Sequence, residues 1–502
     1  MTAWITISAG KAVGLLSALV FLANVCVLFH ILKRPRDART SLLWIFFVFT
    51  FPLIGLTAYL LFGINTVPRK SWDKHYSDAL FAKRQESEKG HSPLAETYAR
   101  RDALRHDADR TGDPALHRLL DRIAPGHLLL DGNAIDLLTP ADHALEAMFE
   151  AIRQARHHIH LTTYILADDC VGRRLMTNLV RRAKAGVQVR VLYDAFGSAG
   201  PEFRGFFRRY RKIPNLQIIP FSHSNIFKRQ LQLNLRNHRK LLIIDGTTAF
   251  TGGINFHDVY LTGDSGKRGA GVSDLHFRIR GPIVLDLQYT FLRDWFYMTE
   301  CPLTPFISAD YYPPTAACGT VAARLVNSGP QLQTASAVTN LFFALITRAT
   351  RQLILATPYF VPSQPLMLAL CQAARRGVEV KVLVPRKNNH PTIRIASQAL
   401  YQPLLSAGVT LFERHPPFMH TKATVIDDHI SVIGSANLDP RSLDFNYETD
   451  LVIESEPFAQ TLKAALADDF ARSDVITYGH WRRRSKFHQL IENFFNLFHP
   501  IA

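Results

Sequence analysis

Residues 237–245 read NHRKLLIID, and residues 419–427 read MHTKATVID. Each stretch leads to a tetrapeptide of small residues that ends in Asn, GGIN at 252–255 and GSAN at 434–437. Both copies therefore fit one pattern, H-x-K-x4-D-x6-G-[GS]-x-N. A single copy would be interpreted as a buried His beside a surface Lys, whereas two copies with the same tail predict a repeated unit with shared chemistry.

The repeat extends upstream of the motif. Residues 155–164 (ARHHIHLTTY) recur as residues 349–359 (ATRQLILATPY), and residues 185–192 (AGVQVRVL) recur as residues 376–383 (RGVEVKVL). These blocks combine alternating strands with a helix end that a glycine stops. The sequence therefore predicts an α/β protein whose folding unit occurs twice, around a largely parallel or mixed sheet.

The motif spacing places its polar side chains on one surface. His and Lys at positions i and i+2 of a strand point to the same face, and the Asn after the return strand approaches a ligand beside them. Two facing copies would supply two Lys and two Asn for the oxygens of a phosphodiester in its five-coordinate transition state. The two His would then act as nucleophile and general acid. The residues predicted for this chemistry are His238, Lys240, Asn255, His420, Lys422 and Asn437.

Zinc is an alternative use of paired histidines. However, a lysine beside each His repels a cation, and no third and fourth ligand stand at the spacing of a zinc site. We therefore predict no metal site.

Two carboxylates are candidates for orienting the histidines. A neutral imidazole that acts as a nucleophile needs an acceptor at Nδ1–H, which fixes its tautomer. Asp274 lies 36 residues after His238, and Glu448 lies 28 residues after His420. Spacing alone also allows each carboxylate to be an ordinary strand residue.

The first 65 residues differ from the rest of the chain. Residues 12–32 and 42–64 are runs of 21 and 23 residues without Asp, Glu, Lys or Arg. As helices, both are long enough for a hydrocarbon core of about 30 Å. With the basic loop at 33–39 they predict a transmembrane hairpin over residues 1–65. Basic residues lie both in this loop and after the second span, so the positive-inside rule leaves the side of the catalytic part open; we expect the cytoplasmic side. The alternative, a cleaved signal peptide followed by a buried helix, lacks an A-x-A cleavage site.

Charge and length indicate the partner and the domain count. The 502 residues carry 58 Lys and Arg against 42 Asp and Glu, a formal net charge of +16, which favours nucleic acid or acidic lipid as partner. Five scattered cysteines exclude a disulfide scaffold. The chain is too long for one ordinary core. We predict a polar linker with some helix at 66–125, the two repeated domains at 126–320 and 321–480, and a basic amphipathic helix at 481–502. That helix would lie in a membrane interface or on the globular core.

The doubled motif resembles the phospholipase D superfamily, whose two such motifs build one active site. Further segments look like bacterial cardiolipin synthase of the phospholipase D type: LFG at 61–63, LRNHRK at 235–240, TPYFVP at 357–362 and SANLDPRS at 435–442. The resemblance covers nearly the whole chain. It implies two phospholipase D-like α/β sandwich domains related by pseudo-two-fold symmetry, with one site at their interface and with no metal or cofactor.

The resemblance also implies a reaction. Two molecules of phosphatidylglycerol would give cardiolipin and glycerol through a phosphohistidine. By analogy His238 attacks the first phosphorus and His420 protonates the leaving glycerol, although a pseudo-symmetric site could exchange the two roles. Asp274 and Glu448 match the acidic residues that orient the histidines.

Three further motif residues take their roles from the resemblance. Asp245 and Asp427 complete the two catalytic motifs and look structural, because they would brace the turn. Ser435 joins the phosphate-binding asparagines. Gly253 departs from the pattern, since many members have serine there, so the first half would supply one hydroxyl fewer.

The resulting prediction is a phosphatidyltransferase in the bacterial inner membrane. Its partners would be phosphatidylglycerol and anionic membrane lipids, with no nucleic acid. The choice between phosphatidylglycerol and phosphatidylethanolamine as acceptor, and the oligomeric state, stay open. A phospholipase D-type hydrolase or nuclease is the alternative. A non-catalytic binding protein with a relic site is a third, although both motif copies are complete.

Overall fold

The described residues fall into two units of unequal size. The structure is a computed structural model, and it describes residues 2–33, 38–63, 67–89, 93–107, 113–221, 235–261, 271–299, 309–314, 316–330 and 336–497. The smaller unit is Met1–Trp72 with Leu332–Thr334, and the larger unit is Asp73–Gln331 with Ala335–Ala502.

The smaller unit is helical. It contains α1 (Thr2–Leu32), α2 (Ala38–Thr50), α3 (Pro52–Ala58) and a π-helical turn at Tyr59–Gly63. Val27, Ile31, Val48 and Tyr59 form its small apolar cluster. Across the part of the chain that the structure describes, no helix meets the length and hydropathy needed to cross a membrane. Residues 34–37 of the predicted basic loop and Ile64 of the second predicted span lie outside the described residues.

The larger unit is built on a mixed sheet. Its strands are β1 (Leu130–Leu138), β2 (His158–Thr163), β3 (Gln188–Asp194), β4 (Leu216–Phe221), β5 (Leu241–Ile244), β6 (Thr248–Gly252), β7 (His276–Arg280), β8 (Val321–Ser328), β9 (Gln352–Ala356), β10 (Glu379–Pro385), β11 (Thr410–Arg414), β12 (Ala423–Ile426), β13 (Ile430–Gly434), β14 (Glu448–Glu454) and β15 (Ser473–Ile476). In the described residues, their order across the sheet is β15-β11-β10-β9-β12-β13-β14-β8-β1-β7-β6-β5-β2-β3-β4.

The strand order repeats around the junction of β8 and β1. Read outward from this junction, the first half runs β1-β7-β6-β5-β2-β3-β4 and the second runs β8-β14-β13-β12-β9-β10-β11, so seven strands correspond in order. In each set of seven the last three strands are parallel to one another and the other neighbours are antiparallel. The remaining described strand, β15, pairs antiparallel with β11 at the edge of the second half. The predicted α/β class with a mixed sheet is confirmed.

Helices cover both faces of this sheet. They are α4 (Val67–Lys89), α5 (Pro93–Asp102), α6 (Pro114–Ile123), α7 (Ala141–Gln154), α8 (Cys170–Lys184), α9 (Ala199–Phe203), α10 (Val284–Thr299), α11 (Ala337–Arg348), α12 (Gln364–Arg375), α13 (Pro391–Ala399), α14 (Tyr401–Ala407), α15 (Glu456–Ala471), α16 (Tyr478–Arg482) and α17 (Lys486–Leu497). The central core lies under α10 and α15 and draws strands from both halves. On the other face, α7 and α8 cover the first half, and α11, α12 and α14 cover the second.

The segment interpreted as a linker contains three helices. Phe81 of α4 and Tyr98 of α5 are buried in the central core. Leu116 and Leu120 of α6 are buried in the core of the second half. Lys74 is also buried, and its ammonium group lies 3.1 Å from a carboxylate oxygen of Asp294 on α10. This polar segment therefore contributes to the packing of both halves.

The C-terminal helix α17 combines a packed face with an exposed apolar one. It lies against α13, and Arg484 and Glu492 form a half-buried ion pair at 3.0 Å. In contrast, Phe487, Leu490 and Phe494 are 67%, 66% and 54% exposed. Within the predicted range 481–502, the structure therefore has a helix with an exposed apolar face at Lys486–Leu497, and the basic residues 482–484 precede this helix. Phe498, the last residue of its predicted apolar face, lies outside the described residues.

Candidate active site

The two motif histidines lie on extended segments that lead into β5 and β12. The amide of His238 donates to the carbonyl of Tyr447 at 3.0 Å, and the amide of His420 donates to the carbonyl of Ser273 at 2.7 Å. Each acceptor belongs to the residue just before a candidate carboxylate of the opposite half. The backbone pairing therefore brings each histidine beside a carboxylate that does not follow its own motif.

His238 is paired with Glu448. Its Nδ1 lies 3.0 Å from Oε2 of Glu448 and 3.1 Å from the carbonyl oxygen of Ser435. The Ser435 hydroxyl donates to the same carboxylate at 2.6 Å, and the Asn446 amide donates to its other oxygen at 3.2 Å. Although burial opposes ionisation, His238 and Lys240 lower the pKa of Glu448. The carboxylate is therefore ionised and fixed in place.

His420 is paired with Asp274 in the same way. Its Nδ1 lies 2.8 Å from Oδ2 of Asp274, whose other oxygen accepts the amide of Leu275 at 2.9 Å. Burial raises the pKa of Asp274, but Lys422 and His420 outweigh this and lower it. Both histidines thus have Nδ1 directed at an ionised carboxylate, which leaves Nε2 for the cavity that both rings line.

Both imidazoles are neutral near pH 7. Burial lowers the pKa of His238 and, together with the neighbouring Lys422, lowers the pKa of His420 to about 3. The carboxylate partners act in the opposite direction but do not restore the ordinary value. A neutral imidazole with Nδ1–H held by a carboxylate has a free electron pair at Nε2, the form that a nucleophile or general base needs.

The two motif lysines are buried beside the histidines. Nζ of Lys240 donates to the carbonyl of its own His238 at 2.8 Å, and Nζ of Lys422 donates to that of His420. Burial and the repulsion of Lys422 lower the pKa of Lys240 to about 7, and burial lowers that of Lys422 to about 8. Two confined ammonium groups of this kind favour an anionic ligand, because its charge offsets their desolvation and mutual repulsion.

The asparagines of both motifs line the same cavity as the histidines. Asn255 accepts the amide of Ile165 at 3.1 Å and donates to the Tyr260 hydroxyl at 3.3 Å. Within the described residues, Oδ1 of Asn437 is buried and has no hydrogen-bond partner. The cavity has a volume of about 740 Å³ and draws its walls from both halves of the sheet, which is the size of a site for a drug-sized ligand.

Asp245 and Asp427 lie at the turns of the motif hairpins, whereas Ser435 lies beside the His238–Glu448 pair. Asp245 accepts the backbone amides of residues 156–158 at 2.8–2.9 Å, and Asp427 does the same for residues 350–352 at 2.6–2.9 Å. Both have positive φ, 52° and 51°, at the turns that close the two motif hairpins. They tie each turn to the start of the neighbouring strand and do not line the cavity. The Ser435 hydroxyl faces Glu448 and likewise does not line the cavity.

The surroundings of Gly253 explain why the first motif has glycine, and not serine, at this position. A Cβ atom at this position would lie 2.2 Å from both carboxylate oxygens of Asp274. Serine cannot occupy this place without displacing the partner of His420. The missing hydroxyl is therefore a consequence of how closely Asp274 approaches the motif backbone.

Two tyrosines at equivalent positions of the repeated blocks, Tyr164 and Tyr359, also line the cavity, and no sequence motif predicts a role for them. The ring centroid of Tyr164 lies 5.0 Å from that of His238, and the ring centroid of Tyr359 lies 6.1 Å from that of His420. Their recurrence at the same place in both copies was the available signal. Burial raises the pKa of both Tyr164 and Tyr359 above the usual value of a tyrosine. Both hydroxyls are therefore protonated donors.

The structure also has a group of possible metal ligands outside the motifs. Among the described residues, Asp169, His257 and Asp258 offer ligand atoms within 4.8 Å of one another. Asp169 caps α8 through the amide of Gly172 and accepts the amide of Asp258 at 2.8 Å. None of the predicted catalytic residues belongs to this group.

Comparison with known proteins identifies the family. A model described as "Cardiolipin synthase, PLD-like domain" matches residues 148–264 and 342–470, and one described as "Phospholipase_D-nuclease N-terminal" matches residues 22–63. Cardiolipin synthase of Geobacillus kaustophilus (strain HTA426) is 32% identical over 98% of this chain and 95% of its own length. The chain belongs to the bacterial cardiolipin synthase family. Major cardiolipin synthase ClsA of Bacillus subtilis (strain 168) is 31% identical over 97% of this chain and 99% of its own.

The cardiolipin synthase match follows the repeat. Each of the two segments that match the family model contains one complete H-x-K-x4-D motif and its Asn. Of the two carboxylates, Glu448 lies inside the second segment and Asp274 lies ten residues beyond the first. The crystal structure of phosphatidylserine synthase from Haemophilus influenzae Rd KW20 has the same fold, with a TM-score of 0.59 and 15% identity over 77% of this chain and 100% of that one.

Proposed function

We propose that the chain transfers a phosphatidyl group between two molecules of phosphatidylglycerol, giving cardiolipin and glycerol. The observation that carries this proposal is the pair of crossed histidine–carboxylate contacts, His238–Glu448 and His420–Asp274, on one cavity. Two buried lysines beside them suit the charge of a phosphodiester. Membership of the cardiolipin synthase family over nearly the full length supports the choice of lipids as substrates.

In the first step, Nε2 of His238 attacks the phosphorus of the donor lipid. A phosphorus–nitrogen bond forms and the bond from phosphorus to the glycerol oxygen breaks, so that glycerol leaves. His420 donates the proton that this oxygen requires. Its pKa is about 3, so it must take up a proton when the anionic substrate binds. Added negative charge near the ring favours this.

In the second step, a hydroxyl of the acceptor lipid attacks the phosphohistidine. His420 now accepts the hydroxyl proton as a general base, and His238 leaves as a neutral imidazole. Lys240, Lys422 and the two motif asparagines stabilise the phosphoryl oxygens in both steps. The pseudo-symmetric arrangement allows the two histidines to exchange roles, and the first-motif assignment follows the family analogy.

We further propose that the sheet is built from two phospholipase D-like domains, at 126–320 and 321–480, related by a pseudo-two-fold axis. The matching strand order in the two halves supports this. The site at the interface would then contain one His, one Lys, one Asn and one orienting carboxylate from each domain. Residues 66–125 and 481–502 are additions to this pair.

For the N-terminal 65 residues we propose a membrane hairpin with spans at about 12–32 and 42–64, in the bacterial inner membrane, with the catalytic part on the cytoplasmic side. Both spans are free of Asp, Glu, Lys and Arg. Many of their described apolar side chains are exposed, as bilayer-facing residues would be: Leu15, Leu19, Phe21, Leu22, Phe29, Leu42, Leu43, Phe46, Leu53 and Ile54. Protease accessibility of the catalytic part in intact inverted vesicles tests the sidedness.

The exposed face of α17 fits contact with the same anionic membrane. Phe487 and Phe494 are exposed, and the basic run 482–484 precedes them. The variant Phe487→Ser/Phe494→Ser should form cardiolipin several-fold more slowly in phosphatidylglycerol vesicles and at the wild-type rate with short-chain phosphatidylglycerol in micelles. Leu368→Ser, at an exposed position on α12, is the matched control. Equal loss in vesicles and micelles would exclude membrane contact as the cause.

Expression in a bacterial host that lacks cardiolipin tests the proposed function. Cardiolipin should appear with the wild-type chain and not with His238→Ala or His420→Ala. Accumulation of phosphatidic acid without cardiolipin, from protein that is present and folded, would instead establish a hydrolase. Cleavage of nucleic acid by the purified chain would establish a nuclease.

A further inference from the structure

The two motif strands differ at one cavity-lining position. Extended chain places residues i, i+2 and i+4 on one face, so the first strand presents Arg236 before His238 and Lys240. The second strand has Phe418 before His420 and Lys422. Both Arg236 and Phe418 line the cavity. The pseudo-symmetric site is therefore cationic beside His238 and aromatic beside His420.

Arg236 is held in a fixed orientation. It is buried, and its guanidinium carbon lies 3.8 Å from the ring centroid of Phe196. Nearby Asp194 accepts the backbone amides of Phe196, Gly197 and Asn237 at 2.8–3.0 Å. The stacking and the ordered loop position the guanidinium before any ligand binds.

A second guanidinium enters the same wall from the other half. Arg441 follows the second motif on a π-helical turn at Arg441–Phe445 and lines the cavity. Its charge adds to burial in lowering the pKa of Arg236. Burial raises the pKa of Tyr164, and the positive charges of Arg236 and Arg441 both lower it. Both positive charges therefore act on Tyr164, whose ring contacts His238.

The carboxylates near these arginines accept hydrogen bonds from backbone amides. Asp194 accepts three amides, as described above, and Asp439 accepts the amide of Ser442 at 3.0 Å. Burial raises the pKa of Asp439 to about 6. Each arginine thus has an acidic neighbour whose carboxylate also holds the backbone of the local loop.

The proposed reaction needs more than one phosphate position. The acceptor lipid carries its own phosphodiester, which does not react and is separated from the attacking hydroxyl by one glycerol unit. The motif histidines, lysines and asparagines are all assigned to the reacting phosphorus. A guanidinium offers a planar fork that binds two phosphate oxygens together.

We propose that Arg236 and Arg441 form a second phosphodiester subsite, which binds the non-reacting phosphate of the acceptor lipid beside His238. This inference rests on the proposed phosphatidyl transfer. Free glycerol, as an acceptor without a phosphate, has no group for the subsite. The subsite therefore favours transfer to an anionic phospholipid over transfer to small alcohols or water.

The test compares two reactions that share the donor step. Full-length protein in phosphatidylglycerol vesicles with labelled glycerol yields cardiolipin and, by exchange, labelled phosphatidylglycerol. In Arg441→Gln the ratio of cardiolipin to exchange should fall about ten- to a hundredfold, the effect of losing a charge-assisted hydrogen bond. Arg441→Lys, which keeps the charge and loses the fork, should give an intermediate ratio. Arg181→Gln, at an exposed position of α8 outside the cavity lining, should keep the wild-type ratio.

The outcomes separate the subsite from the proposed function. An unchanged ratio in Arg441→Gln, or a parallel fall of both reactions, would overturn the subsite. Absence of both reactions in the wild type would refute the phosphatidyl transfer itself. If a melting experiment shows that Arg441→Gln is not folded, the same product ratio is measured in Arg441→Lys and Arg236→Lys instead. Each should then lower the ratio at least several-fold, and a wild-type ratio in both would overturn the subsite.

Discussion

Nδ1 of His238 lies 3.0 Å from Oε2 of Glu448, although 210 residues separate the two in the chain. The equivalent contact in the other direction joins His420 to Asp274 at 2.8 Å. Neither half of the sheet can therefore orient its own histidine. The site is complete only when both halves are folded and docked against each other.

Loss of the Glu448 carboxylate should impair catalysis through His238. In Glu448→Gln the side-chain amide can donate to Nδ1 and so favour the wrong imidazole tautomer. We expect kcat for cardiolipin formation to fall at least about tenfold, as for other residues that orient a reacting group. The measurement is steady-state turnover in phosphatidylglycerol vesicles, with the melting temperature as a check on folding.

A matched substitution separates this effect from the loss of any carboxylate. Glu146 is an exposed residue of α7 that forms an ion pair with Arg174 of α8. Glu146→Gln removes this ion pair and should keep the wild-type kcat. Wild-type turnover in Glu448→Gln would show that the contact with His238 has no role in the reaction.

The lysines should limit activity at high pH. The pKa of Lys240 is about 7 and that of Lys422 about 8, so both lose their positive charge as the pH rises through this range. Because a phosphodiester needs these charges, kcat/KM should fall above about pH 7 to 8. On the acid side, burial keeps the pKa of His238 below its usual 6.5, so protonation of this nucleophile should lower kcat/KM only below that pH.

Arginine in place of the lysine checks this assignment. Arg stays protonated throughout the measurable range, so Lys240→Arg should move the falling limb to higher pH even if its maximal rate is lower. A falling limb that is unchanged in both Lys240→Arg and Lys422→Arg would assign it to other groups.

A side chain at Gly253 should disable the Asp274–His420 pair. In Gly253→Ser the new Cβ would lie 2.2 Å from the Asp274 carboxylate, so either the carboxylate or the strand must move. We expect a stability loss of about 1–3 kcal/mol from overpacking and a loss of most turnover. At Gly479 a Cβ would meet nothing within 4 Å, and Gly479→Ser is the control. Wild-type turnover in Gly253→Ser would refute the tight fit.

Asp245 should matter for stability more than for chemistry. Asp245→Asn keeps one acceptor oxygen but replaces the other by an NH2 group and removes the charge, which weakens the bonds to the amides of residues 156–158 at a cost of about 1–3 kcal/mol. Chemical denaturation should show this loss, whereas kcat well below the melting temperature should stay within several-fold of wild type. Lys240→Gln should show the reverse pattern. A large fall in kcat for folded Asp245→Asn would place this carboxylate in the reaction.

The repeat made much of this architecture predictable. Two copies of one motif, each behind matching strands, predicted an α/β protein with a mixed sheet. Residues 66–125 were harder to interpret because their helices bury few apolar side chains, such as Phe81 and Tyr98, within a polar sequence. Composition does not predict the burial of Lys74 beside Asp294, because this contact depends on how α4 packs against α10.

The sequence predicted which residues form the candidate site, but it did not predict which of them contact each other. Spacing along a strand predicts that His238 and Lys240 share a face. The crossing of Glu448 to His238 depends on docking of the halves, which no local pattern encodes. The position of Ser435 against Glu448, rather than in the cavity, follows from the same docking. Arg441 reaches the cavity through an irregular turn, for which periodicity offers no guide.

The central claim is that one lipid serves as donor and another as acceptor. Purified full-length protein in vesicles of phosphatidylglycerol should release one glycerol for each cardiolipin formed and consume two phosphatidylglycerol molecules. The balance is measured by quantifying both lipids and free glycerol in the same reaction. Release of glycerol matched by phosphatidic acid, with no cardiolipin, would contradict the account.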